Sequence, residues 1–119
     1  MSASDRFAPK EAFKLDPPKD DPISVSELAK ADGEHSSKIY VAIKGTVFDV
    51  TRNAASYGPG QGYHIFAGKD ASRALAKSSL NPADALPEYE DLSDKQKKVL
   101  SDWFHFVSLR YNVVGKVAP

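Results

Sequence analysis

Tyr57-Gly-Pro-Gly-Gln-Gly-Tyr63-His64-Ile-Phe-Ala-Gly-Lys-Asp-Ala-Ser-Arg73 is the stretch on which the reading of this chain turns. Two tyrosines bracket a glycine-rich loop, a histidine follows the second, and a helix-start signal closes the run. Glycine loses more conformational freedom on folding than any other residue, so a loop this rich in it carries an entropic cost. In return the backbone can approach a flat, bulky object with no side chain in the way.

On the N-terminal side of this stretch, residues 38–49 alternate about a two-residue Lys44-Gly45 turn, a hairpin signal. Residues 51–56 then read as a short helix leading into the glycine loop. Further upstream, Ile23 opens a short strand. Ser24-Val-Ser-Glu27 reads as a capping box for a short helix to about Ala31, stopped by Asp32-Gly33. Residues 1–22 hold Pro9, Pro17, Pro18 and Pro22 among charges, the composition of a flexible or extended arm. Phe7, Phe13 and Leu15 are its apolar residues with the reach to clip onto a domain surface.

On the C-terminal side, residues 70–78 read as a helix with Ala71, Ala74 and Leu75 on one face, ended by Asn81-Pro82. Residues 87–92 form an acidic connector. Ser93-Asp-Lys-Gln96 is a second capping box, opening a longer helix to about Leu109. Its apolar stripe is Val99, Leu100, Trp103, Phe106 and Val107. Residues 111–117 read as a final strand. Strands and helices do not alternate as βαβ units, so the class is α+β, with one domain over residues 23–117 behind the arm.

The composition excludes several chemistries. With 119 residues, the chain is one domain. It has no cysteine, which rules out disulfides, zinc ribbons, iron–sulfur clusters, thiolate ligation and covalent haem attachment within this sequence. Sixteen basic residues balance sixteen acidic ones, and no basic stripe invites nucleic acid. No apolar run nears the roughly 20 residues that span a bilayer. The expectation is a soluble chain, cytoplasmic or at most peripherally recruited to a membrane. No nucleophile triad, zinc signature, phosphate loop or nucleotide fingerprint is present, so the chain reads as a binding protein, not an enzyme.

The residues left to carry chemistry are the tyrosines and histidines of the opening stretch. A phenol held between apolar neighbours suits a hard ferric iron, and tyrosine is one of the residues that hold haem iron. The order of motifs sharpens this. Residues 41–51 (Val-Ala-Ile-Lys-Gly-Thr-Val-Phe-Asp-Val-Thr), the loop from Tyr57 to Tyr63, and residues 66–75 (Phe-Ala-Gly-Lys-Asp-Ala-Ser-Arg-Ala-Leu) come first. Leu-Ser-Asp-Trp103, Arg110-Tyr111 and Val-Gly-Lys-Val117 follow. Together they resemble the membrane-associated progesterone receptor family of cytochrome b5-like haem/steroid-binding domains, and most of all its fungal damage-resistance haem proteins. The likeness runs from about Ile23 to Val117.

That resemblance implies a cytochrome b5-like fold, a small mixed sheet with helices forming a haem cleft. It implies non-covalent haem b with Tyr63 as axial ligand to the iron, and Tyr57 and Tyr111 in the pocket. Arg110 stands where relatives commonly have lysine, as a partner for a propionate or the phenolate. It also implies haem-thiolate monooxygenases of sterol synthesis at the endoplasmic reticulum as partners, and leaves room for a haem-stacked homodimer. His64 is the alternative iron ligand, although neighbours in extended chain point to opposite sides. The bis-histidine pattern of classical cytochrome b5, with its His-Pro-Gly-Gly loop, is not in this sequence. His35 and His105 read as exposed or structural, and Lys95, Lys97 and Lys98 as a solvated helix face. Val47, Val50, Ile65, Phe66, Leu75 and Leu80 are the apolar candidates for the cavity wall. The competing reading is a steroid or other small-ligand or protein-interaction module that works without haem.

Overall fold

In the computed structural model, which describes residues 15–118, the hairpin forms one side of a four-stranded mixed sheet. The strands are β1 (Pro22–Ser24), β2 (Tyr40–Ile43), β3 (Thr46–Asp49) and β4 (Asn112–Ala118). Their order is β1-β4-β3-β2: β2 and β3 pair antiparallel, β3 pairs antiparallel with β4, and β1 lies parallel to β4. Lys44 and Gly45 both have positive φ, 53° and 78°, which gives the turn the twist that a two-residue hairpin needs. The expected α+β class, a small mixed sheet with helices, is therefore the observed one.

Around the sheet sit four helices: α1 (Val25–Lys30), α2 (Ala54–Tyr57), α3 (Ser72–Ala76) and α4 (Asp94–Ser108). Each starts for a local reason or is short for want of one. At α4 the Ser93 box is complete, with Ser93 Oγ accepting from Gln96 N–H and the Gln96 side chain accepting from Ser93 N–H. At α1 the box is half made: Ser24 Oγ accepts from Glu27 N–H, but the Glu27 carboxylate accepts from the Ser24 hydroxyl rather than from the Ser24 backbone N–H. The helix over residues 51–56 is a turn of 3-10 helix (Thr51–Asn53) running into α2.

The expected helix over residues 70–78 contracts to Ser72–Ala76. Asp70 is taken out of it by an isolated parallel bridge to Ala42, and Ser78 adopts a left-handed φ of 51° that no helix continues through. The outer edge of β2 is thereby covered: Gly68 N–H donates to Tyr40, Ala42 N–H to Lys69, and Ala71 N–H to Ala42. Covering an edge strand in this way removes a site for aberrant pairing.

Two clusters pack on the two faces of the sheet. The larger contains Ile39, Val41, Ile43, Phe48, Val50, Phe66, Leu75, Leu100 and Val107 with the buried rings of Tyr57 and Tyr111. The smaller, on the opposite face under α1, is Leu28, Ala42 and Val47. Of the arm, residues 16–21 run beside β4: Asp16 N–H donates to Asn112 Oδ1, Lys19 N–H to the Val113 carbonyl, and Lys116 N–H to the Asp21 carbonyl. Leu15 is half-buried. Pro9, Phe7 and Phe13 lie outside the described residues.

Candidate functional site

The site is built between the glycine loop and the two helices that follow it. A cleft of about 230 Å³ is lined by Tyr63, Phe66, Ala74, Leu75, Ser78, Ser79, Leu80 and Trp103. Tyr63 sits at its mouth, 38 % exposed. Among the described residues its phenol oxygen makes no hydrogen bond. The volume lies below that of a cavity that encloses a drug-sized ligand, so the cleft is an open platform rather than an enclosing pocket.

The local sequence explains why Tyr63 faces outward. Its backbone N–H is tied to the Ser56 carbonyl, while His64 N–H donates to Gln61 and Phe66 N–H to Tyr63. These bonds fold residues 57–66 into consecutive tight turns. Gly60 holds a φ of 82° that a side chain would disfavour, and nothing crowds it or Gly62. The loop is exposed from Pro59 to Tyr63.

Behind Tyr63 the other two tyrosines form a row of rings. Tyr57 lies 5.8 Å from Tyr63 between centroids, and Tyr111 lies 6.5 Å beyond Tyr57, edge-on at 90°. Both are buried. Phe66 braces the other side of Tyr63 at 5.7 Å. Burial, with the neighbouring Tyr111 and Tyr63 adding to it, pushes the Tyr57 hydroxyl well above the usual phenol range. Tyr57 therefore keeps its proton. Tyr111 is fixed at its far end: Asn53 Nδ2 donates to its hydroxyl at 2.9 Å and the Arg52 guanidinium lies 4.9 Å from its ring centroid.

His64 turns away from the cleft. Its Nδ1 lies 2.9 Å from the Tyr57 carbonyl, which can only accept, so Nδ1 carries a proton; Nε2 lies 3.7 Å from the Glu34 carboxylate. Glu34 is delivered by a loop that Asp32 organises, accepting from the backbone N–H groups of Glu34 and His35 and from the His35 ring. Burial opposes ionisation of Asp32. The two backbone N–H groups and the His35 side chain outweigh it and hold the carboxyl down at about 2.

Arg110 stacks its guanidinium 4.0 Å from the Phe106 ring centroid, on the flank of α4. Neither Arg110 nor Tyr111 is among the residues lining the Tyr63 cleft. Tyr111 instead borders a polar hollow with Asp49, Thr51, Arg52 and Asn112. Of the six apolar candidates for the wall, Phe66, Leu75 and Leu80 line the cleft, and Ile65 packs half-buried against the core. Val50 is sealed in the main core, and Val47 is on the opposite face of the sheet. Alternation along β3 puts Val47 and Phe48 on different faces, and Phe48 is the one that turns to the main core. His105 and His35 are exposed, as are Lys95 and Lys98, while Lys97 is half-buried.

Sequence reasoning missed Trp103, Ala74, Ser78 and Ser79 as lining residues. Trp103 had a signal, since it stands in the apolar stripe of α4 yet is only half-buried. The two serines had none, because their place depends on where α3 stops.

The second half of the opening stretch has a different use. Asp70 accepts from Gly45 N–H at 3.0 Å, from Ser72 N–H at 3.1 Å and from the Ser72 hydroxyl. Ser72, fully buried, accepts in turn from Lys44 N–H at 2.7 Å. The pair clamps the hairpin turn to the start of α3, and so fixes the wall of the cleft that α3 supplies.

Comparisons with known proteins give the family and the fold. Residues 24–117 match the family model described as the cytochrome b5-like haem/steroid-binding domain. The chain is 39 % identical over 99 residues to the cytochrome P450 regulator dap1 of Schizosaccharomyces pombe, covering 77 % of this chain and 60 % of that protein. It is 39 % identical over 97 residues to membrane-associated progesterone receptor component 2 of Homo sapiens, covering 79 % and 44 %. The chain thus spans roughly half the length of these two relatives. A solved structure from Arabidopsis thaliana, described as having a cytochrome b5 like fold, superposes with a TM-score of 0.76 at 45 % identity, over 83 % of this chain and 92 % of that one.

Proposed function

Since this chain belongs to the cytochrome b5-like haem/steroid-binding domain family, we propose that it binds haem b non-covalently with Tyr63 as the axial ligand. We further propose that it acts as a regulator or haem partner of haem-thiolate monooxygenases in sterol synthesis. The observation that carries the reading is the contrast among the donors. Tyr63 presents an unengaged phenol at the mouth of an apolar cleft, Tyr57 is buried with its proton retained, and both nitrogens of His64 are directed elsewhere.

Bound haem would supply a redox-active iron; what this chain contributes is charge and enclosure. A phenol at the cleft mouth can lose its proton where a cation faces it, because the charged form is then favoured. An anionic oxygen at Tyr63 would favour the ferric over the ferrous state of a bound haem, which would disfavour a simple electron shuttle. Phe66, Leu75, Leu80 and Trp103 provide an apolar bed. Tyr57 and Tyr111 support the Tyr63 ring from behind, and Arg110 is the proposed cation for an acidic substituent of the ligand. An open platform leaves one face of a planar ligand for a partner protein or a second copy of this chain. The relative named as a cytochrome P450 regulator supports a monooxygenase as that partner. No helix among the described residues is long and apolar enough to cross a membrane; we place the working protein in the cytoplasm, peripherally at the endoplasmic reticulum, and without catalytic turnover of its own.

The test is the ferric absorption spectrum of the haem-reconstituted protein beside Tyr63→Phe and His64→Ala. A high-spin spectrum with a phenolate-to-iron charge-transfer band, lost in Tyr63→Phe and kept in His64→Ala, is expected. A low-spin histidine-type spectrum lost in His64→Ala would overturn the assignment. A second reading, a haem-independent steroid site, is favoured by the cleft lining, where the only hydroxyls besides Tyr63 are those of Ser78 and Ser79. Sterol binding by haem-free protein that survives Tyr63→Phe would select it.

A further inference from the structure

Leu80 is 58 % exposed, yet it is held in place by a network of polar contacts. The loop that carries it leaves α3 through Ser78, whose left-handed φ of 51° is uncommon for a residue with a side chain. Such a conformation persists where the surroundings over-determine it. Here they do. Asp84 accepts from the Ser79 hydroxyl at 2.7 Å and from Lys77 Nζ at 3.0 Å. Ser79 Oγ accepts from Asn81 N–H at 3.1 Å, and Asn81 Oδ1 accepts from Ala83 N–H at 3.0 Å. These bonds close the loop on both sides of Leu80. Ser79 N–H also donates to the Ala74 carbonyl, tying the loop back to α3.

A single exposed leucine needs no explanation; one continuous with other apolar surface does. Leu80 shares the cleft with Tyr63, Phe66, Leu75 and Trp103. We infer that Leu80 is a pre-positioned apolar cap for the planar ligand seated at Tyr63, and that the Asp84 network sets its position before the ligand arrives. Leu80 thus determines retention and water exclusion at the cleft rim, while Asp84 is a positioning residue that works through it. Because the loop is already ordered by its own hydrogen bonds, binding would not have to order it, and the leucine would add its contact at little entropic cost. This inference rests on the haem reading above.

The experiment uses the full chain loaded with haem, and measures haem loss by transfer to excess apomyoglobin. Trp103 emission in the haem-free proteins and urea midpoints check that each variant is folded. Leu80→Ser is expected to lose haem about tenfold faster, the worth of one partly covered leucine, with the Tyr63-dependent band still present. Leu80→Met should restore the rate to within about twofold, as a side chain of similar volume. Asp84→Ala should speed release about threefold, with the change absent when Leu80 is already serine. Equal release from Leu80→Ser and the parent would overturn the cap. An Asp84→Ala effect undiminished in the Leu80→Ser background would overturn the positioning role. A parent protein with no Tyr63-dependent haem spectrum would overturn both this inference and the reading beneath it, whereas normal Tyr63-dependent binding with an unchanged Leu80→Ser rate would sink the cap alone.

Discussion

The two halves of the stretch from Tyr57 to Arg73 look equally distinctive in sequence and do opposite physical work. Residues 66–72 are mostly buried, with Asp70 and Ser72 engaged on both sides and Gly68 pressed against the C-terminal end of α1. Residues 59–63 lie in solvent, with open space around Gly60 and Gly62 and an unengaged phenol at the end. The C-terminal half fixes the frame, and the N-terminal half leaves a phenol unengaged at the surface. A distinctive motif is therefore not by itself evidence of a binding residue: burial and hydrogen-bond satisfaction separate the residues that hold the frame from those left open to solvent.

Substitution should expose the contrast most sharply at the glycines. At Gly68, φ is 73°, and an added Cβ would lie 3.1 Å from the Ala29 carbonyl oxygen and 3.2 Å from that of Leu28. Gly68→Ala is expected to destabilise by about 2–4 kcal/mol, from backbone strain plus crowding, measured by urea unfolding. Gly62→Ala, with nothing within 4 Å, should stay within about 0.5 kcal/mol. Equal costs at the two sites would erase the distinction between frame and rim.

Next in size is the clamp. Asp70→Ala leaves the N–H groups of Gly45 and Ser72 without their acceptor and should cost about 2–3 kcal/mol. Ser72→Ala, which orphans Lys44 N–H, should cost about 1–2 kcal/mol. On the rim, Tyr63→Phe should leave the urea midpoint of the haem-free protein almost unmoved, because the lost hydroxyl has no partner among the described residues, while removing the ferric charge-transfer band.

A smaller effect should appear with acid. The Asp32 carboxyl titrates at about 2 in the fold against 3.8 unperturbed. A depressed folded value means the stabilisation is complete above the unfolded value, near pH 4, and is lost as pH falls towards 2. Asp32→Asn should flatten the fall in stability across that window and leave the slope above pH 5 unchanged. Smallest of all is the Arg73–Asp91 pair, bidentate at 2.7 and 3.1 Å but with an exposed carboxylate. Arg73→Ala should shift the urea midpoint least of all these variants, and less again in high salt.

Much of the architecture was legible from local patterns. Periodicity and turn chemistry located the hairpin, the capping residues located the starts of α1 and α4, and Asn81-Pro82 marked where α3 could not continue. Tyr63 was legible as a candidate through the glycine loop beside it. Less legible was anything that depended on which face a residue meets once the sheet is assembled. Val47 and Val50 were open to either reading, cleft wall or ordinary core, and proved to be core, because a short apolar strand has the same composition whichever layer it packs against. Asp70 read as the start of a helix and proved to be the clamp on a turn 25 residues away.

What the sequence determined by itself is which chemistries its composition excludes and the order of the elements. The lack of cysteine, the balanced charge, the paired tyrosines and the capping boxes are properties of neighbours along the chain, and local sterics and hydrogen bonding act on neighbours. The tertiary structure alone decided which tyrosine leaves its phenol without a partner, where His64 points, and that Trp103, Ala74 and two serines complete the cleft. Those outcomes rest on burial and on partners distant in sequence. Desolvation of Tyr57 and capture of His64 by a backbone carbonyl and Glu34 exist only after the chain has closed around them.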